Sequence, residues 1–385
     1  MAKRSKVGII YNYDENWIGG TYYIENMIRS LNFLAKEDQL VLDILAKDKT
    51  IFKNLAKVTK YSKLKFSNQT IRHNKIKRLI NFFSGKLSGR EVFKKKIKFD
   101  VIFPLFDVQN QFKHVKKIIF WIPDLQEKYL PNFFSVGEIQ ARNGRYEEII
   151  KSNHTIVFSS NTAMQDFMKF YPHATNDKKI LRFAVVHPTI EQNLFNEIAA
   201  KYRIIGEYFI APNQFWQHKN HIAIIEAVKI LRDKNVKVKI VFTGKENDYR
   251  NPNYTDFLKE KVTSYGLDNQ ILFLGFIDRN EQLLLMKNAV AIIQPSLFEG
   301  WSTVVEDAKA LNQTLIVSNI EVHKEQLADK AYYFDPSDSQ ELSTKMQDVF
   351  INPSDKIKYD IDYKVNIEEF AQNFRNLTYN QEDIQ

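Results

Sequence analysis

The sequence contains no cysteine, which excludes disulfides, thiol nucleophiles and cysteine-ligated zinc or iron–sulfur centres. That absence fits a cytoplasmic protein, because structural disulfides belong to oxidising compartments. No apolar run approaches the ~18 residues of a membrane span. The basic start Met1–Lys6 is followed only by the short run Val7–Tyr11, which reads as a first strand and not as a secretory signal. Short-period repeats and low-complexity linkers are missing as well. His218 and His221 stand at helical spacing, but no third ligand accompanies them, so no metal site is expected.

What is present is ordinary for a globular chain: 44% hydrophobic and 26% charged residues. At 385 residues there is room for two domains, each with its own core. The charge is not evenly spread. Between Ile71 and Lys98 stand ten Lys/Arg against the single acid Glu91, which equals the whole net charge of +9. Interleaved with these cations are Ile76, Leu79, Ile80, Phe82, Phe83, Leu87, Val92 and Phe93. That composition suits a helix lying on an anionic membrane surface. An ordinary amphipathic helix pair or a nucleic-acid patch would share it, but no nucleic-acid-binding motif accompanies the segment.

Strand and helix patterns alternate from end to end, the mark of parallel α/β architecture. In the first half strands are expected at Lys6–Tyr11, Leu40–Leu45, Asp100–Phe103, Lys117–Trp121, Thr155–Phe158 and Ile180–Val185, with a helix at Thr21–Leu34. In the second half they are expected at Tyr208–Ala211, Val238–Phe242, Ile271–Leu274, Ala289–Gln294, Thr314–Val317 and Ala331–Phe334. This predicts two doubly wound domains, 1–190 and 205–363, joined within His187–Glu207. The apolar spacing of Ile367–Leu377 predicts a terminal helix, about 364–385, that packs back on the body.

The most informative stretch is Pro295–Ala310. It leaves the apolar strand Ala289–Ile293, turns through Glu299-Gly300 and enters a helix that Ser302 or Thr303 can cap. Open α/β sheets bind nucleotides at that edge, with phosphate at the helix N-terminus and an acid on the ribose hydroxyls. Glu306 and Asp307 follow on the first turns; adjacent helix residues point about 100° apart, so only one can face the strand edge. Gly19 and Gly20 open the first helix and let a ligand approach backbone amides. Lys219 lies just after the first strand of the second half, where a point charge can meet a pyrophosphate.

With these pieces the chain resembles retaining GT-B glycosyltransferases of the large family four, over nearly its whole length. That family carries a Glu-x₇-Glu signature, and Glu299-Gly-Trp-Ser-Thr-Val-Val-Glu-Asp-Ala308 lays Glu299 on the first acid and Asp307 on the second. The resemblance implies that Glu299 contacts the donor sugar and that Asp307 holds the ribose, with Glu306 a rival for that role. It implies donor binding around Gly300, Trp301, Ser302 and Thr303, and places Gly19-Gly20 where amides meet the donor phosphate or acceptor. The family's Arg-x₄-Lys phosphate pair falls on Gln214 and Lys219, so the lysine is kept and the arginine is not. At Phe120–Gln126 the loop where many members carry His-Asp reads Pro123-Asp124, followed by Glu127 where relatives often have His. The implied catalytic set is Glu299, Lys219 and Asp124. The implied activity is metal-independent hexosyl transfer from a UDP-, GDP- or ADP-sugar, with no cofactor. The acceptor would be a hydroxyl of a glycan or lipid-linked acceptor in bacterial surface polysaccharide assembly, at the cytoplasmic membrane face. A non-catalytic GT-B subunit, or an epimerase or phosphorylase on the same fold, remains open at this point.

Overall fold

The structure is a computed structural model and describes residues 6–68, 99–352, 357, 359 and 362–379. The basic segment 71–98, and with it the membrane-surface expectation, lies outside the described residues. Two parallel sheets are built in series. The first contains β1 (Val7–Ile10), β2 (Leu42–Ala46), β3 (Leu64–Asn68), β4 (Val101–Leu105), β5 (Lys117–Ile122), β6 (Thr155–Phe158) and β7 (Lys178–Ile180), in spatial order β3-β2-β1-β4-β5-β6-β7. The second contains β8 (Phe209–Ala211), β9 (Ile240–Phe242), β10 (Ile271–Phe273), β11 (Ile292–Gln294), β12 (Leu315–Ser318) and β13 (Tyr332–Phe334), ordered β10-β9-β8-β11-β12-β13. Strand order therefore reverses at β1/β4 and again at β8/β11, the switch points where such sheets open a crevice at their carboxyl ends.

These strands form because both of their faces are buried. In β4, Val101 and Phe103 join one apolar cluster while Ile102 and Leu105 join the opposite one. The helix Lys364–Thr378 completes the first of these layers, setting Phe370 and Phe374 against Tyr23 and Phe103 at 5.9 and 5.6 Å between ring centroids. A chain that has passed through the second sheet thus returns to close the core of the first.

Some expectations are corrected. The apolar run Ile180–Val185 is not the seventh strand; β7 is the polar Lys178–Ile180, paired on β6. Leu181, Phe183 and Val185 instead enter the core as the chain leaves the sheet. The first helix runs Ile18–Ser30, ahead of the expected Thr21 start. Strand β3 and the helices Lys49–Thr59, Phe195–Lys201 and Glu321–Leu327 were not anticipated. The last of these ties the halves together. Glu325 accepts from the Asn161 and Thr162 amides at 2.8 and 2.9 Å and pairs with Arg182 at 2.7 Å, so a second-sheet carboxylate caps the first-sheet helix Asn161–Phe170.

Candidate active site

The two switch points face one another across a cleft of about 530 Å³, within the range of small-molecule sites. Lys219 and Glu299 meet there because β8 and β11 are neighbours in the sheet and each residue lies on the loop leaving its strand. Lys219 Nζ is 2.5 Å from Glu299 Oε1. The same oxygen accepts from Gln294 Nε2 at 2.7 Å and Ser296 Oγ at 2.6 Å. Gln294 in turn accepts from buried Asn213 at 2.8 Å, so a hydrogen-bonded chain fixes the carboxylate from below. Oε2 has no partner among the described residues. Burial pushes this carboxyl up, but Lys219 and the Ser296 hydroxyl outweigh it and hold it below the usual range.

Past Glu299, the chain turns through Gly300 and enters the helix Thr303–Ala310, capped by Ser302 Oγ on the Val305 amide at 3.4 Å. Not every amide at this helix start is open: Ser302 N donates to Gln326 Oε1 at 3.0 Å. The Thr303 and Val304 amides have no acceptor among the described residues, as is usual for the first turn of a helix. The Trp301 indole donates to the Phe183 carbonyl at 3.1 Å, fastening the turn to the chain that follows β7.

The two adjacent acids separate as helix geometry demands. Asp307 lines the cleft and places Oδ1 2.8 Å from His187 Nε2 and 2.5 Å from Arg279. Burial raises this carboxyl, yet Arg279 and then His187 hold it below its ordinary range. Its Oδ2 is unpartnered among the described residues. Glu306, one of the expected ligand-binding residues, points the other way, into the interior, and is not among the residues that line the cleft. It accepts from Tyr363 Oη at 2.6 Å, Gln326 Nε2 at 3.0 Å and Lys309 at 3.1 Å. Tyr363 Oη also accepts from the Val185 amide at 3.1 Å. Tyr363→Phe removes both bonds, and chemical denaturation should show a loss of about 2 kcal/mol. An unchanged midpoint would mean that this tether carries no weight.

From the first sheet, Gly19, Gly20 and Asp124 line the cleft. Gly20 is required by close approach: a Cβ there would come 2.7 Å from the Trp17 ring, which stacks on Trp121 at 5.5 Å. Asp124 accepts from the Gln126 amide at 3.2 Å. Gln214 also lines the cleft, but its amide donates to the Glu15 carbonyl at 3.0 Å, joining the two halves. Glu127 does not reach the cleft; its fully buried side chain pairs with Arg142 at 3.2 Å, and burial raises its carboxyl. His221 is buried and stacked on Phe215, and no group of metal ligands exists among the described residues.

Cleft residues that sequence reasoning missed are Arg142, Arg145, Arg250 and Arg279 on its walls, and His187 behind Asp307. Only Arg279 had a signal, standing directly after the helix cap Asp278 at a strand end.

Residues 197–374 match the family model described as glycosyl transferases group 1. Over 255 residues the chain is 29% identical to the O-antigen chain mannosyltransferase RfbU of Salmonella typhimurium, covering 57% of this chain and 70% of that one. Two solved structures align along nearly the full length. A glycosyltransferase from Rickettsia africae ESF-5 has TM-score 0.62 and 16% identity over 97% of this chain and 93% of its own. Anabaena Alr3699/HepE, in complex with UDP and glucose, has TM-score 0.63 and 14% identity over 98% of both. The fold is therefore GT-B: two Rossmann-like units facing a central cleft.

Proposed function

We propose that the protein is a glycosyltransferase that moves a hexosyl group from a nucleoside-diphosphate sugar to a hydroxyl of a glycan or lipid-linked acceptor, with retention and without a metal. One observation carries the reading. Glu299 lines the cleft with the Thr303 and Val304 turn, its Oε1 held on Lys219 and its Oε2 without a partner among the described residues. A sugar hydroxyl fits the unpartnered oxygen, and a departing diphosphate fits the lysine and the amides. Asp307 offers Oδ2 to the ribose hydroxyls. Charge developing at the anomeric carbon is oxocarbenium-like, so a carboxylate beside it and cations at the leaving group both favour the transition state. The match to a group 1 family model and the likeness to an O-antigen mannosyltransferase support a role in surface polysaccharide assembly.

The test is direct. Purified protein is screened by thermal shift against UDP, GDP and ADP, because a ligand that binds only the native state raises apparent stability. The matching sugar nucleotides are then supplied with and without glycan acceptors. Nucleoside diphosphate release should depend on acceptor, and proton NMR should find the donor's anomeric configuration in the product. Nucleotide binding without release would favour a non-catalytic subunit; absence of any nucleotide binding would end the proposal.

A further inference from the structure

The first-sheet wall of the cleft carries a cation that has no ion-pair partner among the described residues. The helix Val136–Ser152, started by a capping box at Ser135 and Glu138, presents Arg142, Arg145 and Tyr146 to the cleft. Residues three apart on a helix share a face, so the two guanidinium groups stand together one turn apart. Their surroundings differ. Arg142 is held by buried Glu127 at 3.2 Å and lies 4.9 Å over the Phe134 ring. Arg145 is half-buried and has no hydrogen bond, ion pair or ring contact among the described residues. Asp124, on the same wall, has no cation within ion-pair distance among the described residues, although its charge acts on Arg142.

Five fixed N–H donors without an acceptor suit a planar oxyanion that arrives with the ligand. Once a ligand displaces water from the cleft, a guanidinium without a counter-charge becomes costly, so that ligand must supply one. The donor diphosphate already has its cation and its amides on the opposite wall, at Lys219, Thr303 and Val304. We propose that Arg145, one turn from Arg142 on the same helix face, binds an oxyanion of the acceptor, a phosphate or a sugar carboxylate, while Asp124 stands beside the hydroxyl that is glycosylated. The proposal rests on the reading of the second-sheet wall as the donor site.

Saturating the protein with whichever nucleoside diphosphate binds it separates the two questions. Glucose 1-phosphate, glucuronate and glucose are then titrated by calorimetry into wild type, Arg145→Gln and Arg145→Lys, at low and high salt. At least one anionic probe should bind about tenfold tighter than glucose, weaken with salt, and lose that advantage in Arg145→Gln. Partial recovery is expected in Arg145→Lys, and the two anionic arms tell phosphate from carboxylate. Nucleoside diphosphate affinity and thermal stability should stay unchanged in both variants, because Arg145 has no partner to lose among the described residues. Glucose binding as well as either anion, or equal anion binding by Arg145→Gln, overturns the proposal. Loss of nucleotide affinity in Arg145→Gln reassigns the residue to the donor and also overturns it. If no nucleotide binds wild type, the donor reading itself has failed.

Discussion

Replacing Glu299 with glutamine is expected to lower sugar transfer about 10³-fold, or ~4 kcal/mol of transition-state stabilisation, while affinity for the bare nucleoside diphosphate holds or rises. The asymmetry follows from the two oxygens. Oε1 is fully used by Lys219, Gln294 and Ser296, and Oε2 has no partner among the described residues. Glutamine keeps the volume but has one acceptor and no charge, so it can serve the network or the sugar, and neither with a charge-assisted bond. Lys219, meanwhile, loses its counter-ion and gains reason to hold a diphosphate. Folding should suffer too: breaking a buried pair costs roughly 3–5 kcal/mol, reduced here because the Lys219 side chain is 19% exposed. Added nucleoside diphosphate should restore part of that loss. The acid limb gives a second check. A carboxyl held below its ordinary value contributes stability that is complete above the ordinary range and lost as pH falls through the folded value. Wild type should lose this increment on acidification, and Glu299→Gln should have none to lose. Unchanged transfer, or nucleotide affinity lost together with activity, would remove Glu299 from sugar contact.

The parts of this design that were legible from sequence are those where local chemistry and tertiary role coincide. Buried parallel strands read as apolar runs, and Ala289–Ile293 followed by Glu299, Gly300 and a capped helix encodes a strand-end site within a few residues. Helix geometry alone required Glu306 and Asp307 to face apart, and they do. Legibility failed where pairing is settled by neighbours. Strand β7 is polar because an edge strand needs backbone partners more than apolar side chains, whereas the more apolar Leu181–Val185 is drawn into the core without joining the sheet. Strand β3 offers only Leu64 and Phe66 as apolar signals on the opposite edge. In the site, His187 acts 120 residues from Asp307, and Arg142 is held by Glu127 fifteen residues away. Neither spacing is a motif. Such contacts exist only once two sheets have set their carboxyl ends face to face.

That facing is tight enough to predict a second large effect. Gly300→Ala should lower turnover by about 10²-fold with little loss of folding stability in the second half, since a misplacement of ~1 Å between catalytic elements suffices for that cost. A Cβ at position 300 would stand 2.3 Å from the Pro123 carbonyl oxygen and 2.9 Å from Asp124 Cβ, across the cleft from its own sheet. The nearest atom is backbone, so no side-chain rotation relieves the clash. Either the Pro123–Asp124 loop retreats or the two halves part by about an ångström, and each outcome carries Asp124 away from Glu299. The φ of Gly300 is outside the left-handed region, so the methyl is refused by space and not by backbone conformation. Gly19 provides the contrast. A Cβ there meets nothing within 4 Å, and alanine should be accepted with helix stability kept or slightly raised. Steady-state kinetics with donor in excess, beside small-angle scattering of the nucleotide-bound proteins, would separate the cases. Gly300→Ala should be slower and more open than wild type, with Gly19→Ala as compact as wild type. Wild-type turnover in Gly300→Ala would mean that catalysis does not depend on the closure that brings Pro123 and Asp124 against the Glu299 turn.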